Sequence, residues 1–145
     1  DGENYFSPSG TSHAIGKGVT VIEIQQNSNL TYRLYDYNRI GKDGKPRELH
    51  IQKALKVIDT KAYHPISFQE PLIGECKYFS SSVHNVKDIP MIQANKESFI
   101  SITFLTGEGS VNSIPYKALD TFFIPAGKEA VLKGSGTFVL TTVNR

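Results

Sequence analysis

The sequence predicts an all-β protein with one amphipathic helix. Short runs rich in β-branched and aromatic residues recur along its 145 residues, which is the composition of strands. Twelve glycines and seven prolines favour short elements joined by tight turns. Helical periodicity is convincing in only one segment. Several short strands separated by turns are typical of a β-sandwich or barrel.

The first half of the chain contains three predicted strands and the helix. The strands are expected at residues 5–6, 19–24 and 30–35. A loop of glycine, lysine, aspartate and proline follows at residues 41–46. In residues 47–58 the period changes, because Ile51, Ala54, Leu55 and Ile58 fall at i, i+3, i+4 and i+7. This stripe predicts an amphipathic helix.

Strand patterns resume after Gly74. They predict strands at residues 76–80, 99–105, 121–124, 130–132 and 137–143, with turns at the glycine-rich segments 107–109 and 134–136. The chain therefore divides into residues 1–46 as strands of one β unit, 47–73 as helix and connector, and 74–145 as a second β unit.

Composition argues against several partners and locations. Sixteen basic and fourteen acidic residues give a net charge of +2, too small a surplus to indicate a nucleic-acid partner. No apolar run approaches the roughly 20 residues that cross a bilayer, and no signal-peptide pattern opens the chain. The lone cysteine, Cys76, excludes an internal disulfide and fits a reducing, cytoplasmic compartment. The sequence opens without methionine, and its first five residues read as a turn leading into a strand, so we expect it to start inside a fold.

An internal repeat relates the two β units. Residues 3–13 align with residues 120–130, and both copies have an acidic residue, two aromatics and then a proline, a small residue and a glycine. This spacing describes a strand, a tight turn and a returning strand that projects one side chain inward. That side chain is His13 in the first copy and Ala130 in the second. The first unit can therefore hold a ligand that the second cannot.

The first copy also carries a known motif. Gly2-x5-Pro8-x-Gly10-x2-His13 resembles the second signature of the cupin superfamily, in which the histidine is a metal ligand inside a jelly-roll barrel. Imidazole is the commonest neutral metal ligand. The alternative is that His13 only packs or bonds to the backbone.

Four segments extend the resemblance to type I mannose-6-phosphate isomerases. They lie in order at residues 8–18, 23–28, 31–39 and 47–50, and the resemblance continues weakly to the end of the chain. One departure is Asn29, where that family often has aspartate. The resemblance implies a zinc-dependent aldose–ketose isomerase that interconverts mannose 6-phosphate and fructose 6-phosphate. It also implies that residues 1–46 are carboxyl-terminal strands of a metal-binding cupin unit and that 74–145 form a metal-free cupin-like unit.

The resemblance assigns roles to four residues. His13 would ligate zinc, Arg33 and Glu23 would be catalytic, and Arg39 would bind the substrate phosphate. Both Glu23 and Arg33 interrupt predicted strands, where an unpartnered charge is costly. A structural ion pair between these two is the plain alternative, and Arg39 could be an ordinary surface arginine.

The remaining candidates have structural interpretations. His64 and His84 are expected at the surface, and His50 is expected to pack or to cap the helix. Cys76 is interpreted as a small buried residue. The basic residues of the loop, Lys42, Lys45 and Arg47, are interpreted as solvated.

The chain is expected to hold only part of a site. Catalytic zinc needs about three protein ligands, and His13 is the one that this sequence offers. The resemblance implies that a further histidine and a glutamate come from a segment upstream of Asp1. We therefore expect one divalent ion per complete site, poor zinc binding and no turnover by this chain alone, and exposed strand edges in residues 5–35. That surface would pair with the missing amino-terminal segment or with a second copy.

Two other functions stay open. The chain could be a non-catalytic cupin module that binds a carbohydrate or phosphosugar, or a structural dimerisation barrel. The presence of both His13 and Glu23 favours the enzyme.

Overall fold

A computed structural model describes residues 2–144 and divides the chain into two compact units. One comprises Ser7–His64 and is called the amino-terminal unit. The other comprises Asp1–Phe6 with Pro65–Arg145 and is called the sandwich unit.

The sandwich unit contains nine strands. They are β1 Leu72–Glu75, β2 Phe79–Asn85, β3 Met91–Gln93, β4 Ile100–Phe104, β5 Glu108–Val111, β6 Ile114–Lys117, β7 Thr121–Ile124, β8 Glu129–Ser135 and β9 Thr137–Val143. One sheet has the order β1-β2-β9-β4-β7 and the other has the order β3-β8-β5-β6. Neighbouring strands pair antiparallel in both sheets. The all-β prediction is confirmed.

The two sheets bury one common core. Along β4, burial alternates so that Ile100, Ile102 and Phe104 face inward, as the two-residue period of a strand requires. The Phe104 ring is fully buried and stacks on Tyr116 of the other sheet with ring centroids 3.5 Å apart. Phe138 lies 5.9 Å from the same ring. Aromatic rings thus fill the space between the sheets.

Glycine-rich segments behave differently from the sequence prediction. The segment expected to be a turn at residues 107–109 leads directly into β5, and Gly134 lies inside β8. A methyl group on Gly109 would overlap the carbonyl oxygen of Lys133. The glycines therefore allow β5 and β8 to approach closely, where the sequence pattern indicated turns.

Strand bounds agree with the predictions only in part. The strands predicted at 121–124 and 137–143 are confirmed as β7 and β9. The prediction at 76–80 is wrong, because β1 ends at Glu75 and β2 begins at Phe79. The short strands β3 and β6 were not predicted.

The amino-terminal unit has little regular structure. The helix α1 covers only Ile51–Ala54, and its first residue is preceded by His50, whose side chain makes no capping bond. Ile40 and Pro46 form an isolated bridge across the loop. The predicted 47–58 helix is therefore too long: Ile51 and Leu55 are exposed and only Ala54 of the stripe is buried.

The strands predicted at residues 5–6, 19–24 and 30–35 are absent from the described residues. Several of their apolar side chains are exposed, with Val19 61%, Leu30 73% and Tyr35 61% exposed. A strand needs a hydrogen-bonded neighbour, and one face must be covered for it to be stable. Within residues 2–144 the segments 19–24 and 30–35 form no strand ladder, although Arg33 hydrogen-bonds to His50. No helix among the described residues is long and apolar enough to span a membrane.

Candidate functional site

Arg33 lies at the centre of the best-connected polar cluster in the amino-terminal unit. Its backbone N–H donates to Nδ1 of His50 at 3.1 Å, and its carbonyl accepts the N–H of His50 at 2.7 Å. Its guanidinium donates to the carbonyl of Glu48 at 3.3 Å. These three bonds attach the segment around Arg33 to the segment that precedes α1. They also fix the His50 tautomer with Nδ1 as an acceptor.

Asp36 joins Arg33 to Arg47. The Asp36 side chain is only 10% exposed, and Arg47 donates to both of its carboxylate oxygens, with Nε 2.6 Å from Oδ2. Nε of Arg33 lies 3.9 Å from Oδ1 of the same carboxylate. The hydrogen bond from Arg47 lowers the pKa of Asp36, and the charges of Arg47, Arg33 and Arg39 act in the same direction. The carboxylate is therefore ionised at neutral pH.

Arg39 is brought towards this cluster by a tight turn. Its N–H donates to the carbonyl of Asp36 at 2.9 Å, and the two intervening residues, Tyr37 and Asn38, have φ of 52° and 54°. Positive φ at both central positions is uncommon outside glycine, asparagine and aspartate. The guanidinium carbon of Arg39 lies 5.9 Å from the centre of the Tyr37 ring. Arg47 and Arg33 therefore contact the Asp36 carboxylate, and the charge of Arg39 acts on it as well.

His13 follows the tight turn that the repeat predicts. Thr11 donates to the carbonyl of Pro8 at 3.1 Å across Gly10, whose φ is 92°. The equivalent turn in the sandwich unit has the same bond, from Lys128 to the carbonyl of Pro125 at 3.1 Å. The turn prediction is thus confirmed in both copies.

The side chains after the two turns differ in environment. Ala130 is fully buried on β8, as predicted. His13 is exposed, with Nδ1 3.1 Å from the carbonyl oxygen of Thr11, so the expected inward orientation is not found here. The reason is the missing returning strand. The role of His13 as a metal ligand stays a prediction.

Glu23 does not join the arginine cluster. It is exposed, and among the ion pairs of the described residues none connects it to Arg33. The structural Glu23–Arg33 pair is therefore not found, since Asp36 takes the position beside Arg33. Its catalytic role stays a prediction.

The described residues do not fit a complete zinc site. Within residues 2–144 no group of three or more histidine, cysteine, aspartate or glutamate side chains is arranged to hold a metal ion. His13 is the single predicted ligand, and it lies at the surface.

Sequence reasoning missed Asp36 and misread Arg47. Arg47 was interpreted as a solvated loop residue, but it forms the bidentate pair with Asp36. The sequence did contain an indication of this pair, because Asp36 lies between Tyr35 and Tyr37. A carboxylate buried beside aromatic residues needs a charged or hydrogen-bonding partner. His50 was expected to pack or to cap the helix. Its side chain makes no capping bond and its ring lies near that of Tyr32, so the packing alternative is correct.

Two smaller predictions also change. His84 was expected at the surface, but it is partly buried, bonds to the hydroxyl of Ser82 at 2.8 Å and lies against Phe138. Burial lowers the pKa of His84. Cys76 is partly buried between β1 and β2, not within a strand. His64 is exposed, as predicted.

The chain is similar to several mannose-6-phosphate isomerases. It is 37% identical to mannose-6-phosphate isomerase ManA of Bacillus subtilis, covering 87% of this chain and 44% of ManA. It is 35% identical to the putative mannose-6-phosphate isomerase YvyI of the same organism, covering 98% of this chain and 49% of YvyI. The chain thus spans less than half the length of these relatives. Over a shorter stretch of 57 residues it is 56% identical to the probable mannose-6-phosphate isomerase GmuF of Bacillus subtilis, covering 39% of this chain and 18% of GmuF.

A solved structure agrees with these sequence matches. The crystal structure of the mannose 6-phosphate isomerase from Bacillus subtilis superposes with a TM-score of 0.62 at 27% identity, covering 81% of this chain and 41% of that one. No family model matches the sequence. Sequence, fold and the share of length covered agree on one conclusion. The chain belongs to the type I mannose-6-phosphate isomerase family and corresponds to a carboxyl-terminal part of its members.

Proposed function

We propose that this chain contributes part of the active site of an enzyme that interconverts mannose 6-phosphate and fructose 6-phosphate. The main support for the proposal is that Arg33 and Arg47 contact the single carboxylate of Asp36 and that the charge of Arg39 acts on it too. Three guanidinium groups around one carboxylate leave an excess of positive charge. A sugar phosphate supplies the complementary charge, and a guanidinium matches phosphate oxygens in geometry.

Each predicted residue has a chemical task in this reaction. The isomerisation moves a proton between the first two carbons of the sugar, so that the carbonyl shifts from the first to the second through a shared enediol, and negative charge develops on the sugar oxygens. Arg33, fixed by its backbone bonds to His50, would stabilise that charge. Glu23 would transfer the proton or orient the sugar. Arg39, at the end of its turn, would bind the phosphate.

Zinc dependence belongs to the complete site in this proposal. His13 would supply one ligand and residues outside this sequence would supply the others. The hydrogen bond from Nδ1 to the Thr11 carbonyl supports this role, because metal-ligating histidines usually donate their second N–H to such a partner. That bond leaves the lone pair on Nε2. The fully buried position of Ala130 after the equivalent turn supports an inward path for the returning strand once it is paired.

The partner that completes the fold is proposed to be an amino-terminal segment of the same enzyme, with self-association as the other outcome. The exposed apolar residues of 19–35 support a covering partner. A cytoplasmic location is supported by the single free cysteine, Cys76.

A chimera tests the function. In it, this chain replaces the region of Bacillus subtilis ManA that it matches, and conversion of mannose 6-phosphate to fructose 6-phosphate is measured. We expect turnover, with a loss of about a hundredfold or more in Arg33→Ala, the range seen when one charge-stabilising donor is removed. A folded chimera that binds the sugar phosphate without turnover would favour the carbohydrate-binding module instead.

The partial-site proposal has its own test on the 145-residue chain. Metal analysis and the same assay should find little bound zinc and no turnover. Stoichiometric zinc with normal turnover would contradict it.

A further inference from the structure

We propose that Asp36 is a positioning residue for Arg33, with Arg47 as the counterion that holds the Asp36 carboxylate in place. The proposal rests on the proposed function for the catalytic role of Arg33. Its geometric part stands on the contacts alone.

Different contacts hold the main chain and the side chain of Arg33. Two hydrogen bonds to His50 fix where the Arg33 main chain runs: the Arg33 N–H donates to the His50 imidazole, and the Arg33 carbonyl accepts the His50 N–H. They leave a long side chain with several rotatable bonds. The Arg33 guanidinium is then held at two points, by the carbonyl of Glu48 at 3.3 Å and by the carboxylate of Asp36 at 3.9 Å. Asp36 is the only ionised group among these partners.

Asp36 can serve Arg33 because Arg47 fixes the carboxylate. A carboxylate accepts a bidentate pair and retains lone pairs for a further donor. Arg47 occupies both oxygens, and the side chain of Asp36 is largely buried. The carboxylate therefore has a defined orientation, with Oδ1 turned toward Nε of Arg33. The side chain of Arg33 is 25% exposed, so part of it remains accessible to a ligand.

Removing the Asp36 charge would release Arg33 without breaking the unit. Arg33, Arg39 and Arg47 would then repel one another with no carboxylate between them. The Arg33–His50 backbone bonds would remain. The predicted effect is a mobile Arg33 guanidinium on an intact main chain, which a purely structural role for Asp36 would not produce.

The experiment observes the Nε–H group of Arg33 by nitrogen-15 NMR in the 145-residue chain, with Arg33→Lys to assign the resonance. In Asp36→Asn we expect exchange of this proton with water to rise about fivefold, the effect of losing an ion pair about 4 Å apart near water. The backbone amide signals of Arg33 and His50 should persist. Asp36→Glu should restore most of the protection. The matched control is Asp43→Asn, which removes the charge from an exposed loop acceptor that bonds Lys45 and should leave Arg33 unchanged.

Two results would overturn the proposal. One is an unchanged Arg33 Nε–H in Asp36→Asn, and the other is loss of that signal only together with the Arg33 and His50 amides. If Asp36→Asn does not fold, a pH titration of the unsubstituted chain tests the coupling between Asp36 and Arg33 instead. The Nε chemical shift of Arg33 should then follow the titration of the Asp36 carboxyl carbon, and an independent midpoint refutes the coupling.

The chimera separates this inference from the proposed function. If it is active, Asp36→Asn should lower kcat about tenfold and leave KM within about twofold, because Arg33 acts on charge that develops in the transition state. An inactive chimera with an Arg33 response in the NMR experiment refutes the isomerase proposal and supports positioning. An active chimera without that response supports the isomerase proposal and refutes the positioning role of Asp36.

Discussion

Replacing Phe104 by alanine tests the account of the sandwich core. The ring is fully buried on β4 and contacts the rings of Tyr116, Phe122 and Phe138, with centroids 3.5, 6.0 and 5.9 Å away. Phenylalanine-to-alanine changes in cores cost about 3–5 kcal/mol, and each aromatic pair adds about 0.5–1.5 kcal/mol. Because three pairs are lost, we expect a cost at the upper end, about 5 kcal/mol. Domains of this size have only roughly 5–15 kcal/mol of stability.

Urea unfolding followed by circular dichroism measures this cost. With a slope of about 2 kcal/mol per molar, the midpoint should fall by about 2.5 M. The control is Phe123→Ala on β7, where the ring is 63% exposed and contacts Phe99 at 4.7 Å; its cost should be below about 1.5 kcal/mol. Equal costs for Phe104→Ala and Phe123→Ala would refute the assignment of the core between the two sheets.

Three further predictions concern backbone fit and pH. Gly109→Ala should destabilise the sandwich unit by more than about 2 kcal/mol in urea unfolding, because the added methyl group would overlap the Lys133 carbonyl. The control is Gly127→Ala, at a position with a positive φ of 70° but open space around it, which should cost about 1–2 kcal/mol. A larger cost for Gly127→Ala than for Gly109→Ala would contradict this reasoning. Burial lowers the pKa of His84, so the unfolded chain binds more protons and stability should fall as pH drops below about 6.5. His84→Gln should flatten that slope between about pH 7.5 and about pH 5.5, and an equally steep variant would assign it to another group. The pKa of Asp36 is lowered by Arg47, so this pair should stabilise the amino-terminal unit fully above about pH 3.9, the usual carboxyl value, and lose that effect as pH falls further. Amide exchange should show this acid dependence in the unsubstituted chain and not in Asp36→Asn.

The sandwich unit was predictable because its strands find their partners within the chain. Alternation at residues 121–124 and 137–143 was enough to place β7 and β9. Ala130 was correctly placed inward because the repeat fixed its distance from the turn. The turns predicted at the glycine-rich segments were wrong, because glycine also occurs where two strands approach closely. Gly109 allows such an approach between β5 and β8.

The amino-terminal unit shows what local patterns leave undetermined. Residues 19–24 have strand composition, but strand formation depends on a neighbouring strand and a covered face. The helix stripe around Ala54 had the right period, yet the regular helix ends at Ala54, and Ile51 and Leu55 remain exposed, so burial of the stripe does not extend the helix.

The candidate site was predictable in its residue types and not in its connections. Family resemblance selected Arg33 and Arg39, which the structure brings near one carboxylate. That carboxylate is Asp36 and not Glu23, because the turn at Tyr37 and the approach of residues 47–50 are tertiary features. The partner of a buried charge is chosen by the fold and not by distance along the sequence.

The central claim is that His13 and Arg33 line one cavity in the completed enzyme. A crystal structure of the chimera grown with zinc, with the metal located by its anomalous scattering, tests this directly. Nε2 of His13 should lie about 2.0–2.1 Å from the ion, and the Arg33 guanidinium should enter the same cavity. A zinc ion bound without His13, or Arg33 on the opposite face of the sheet from the ion, would contradict it.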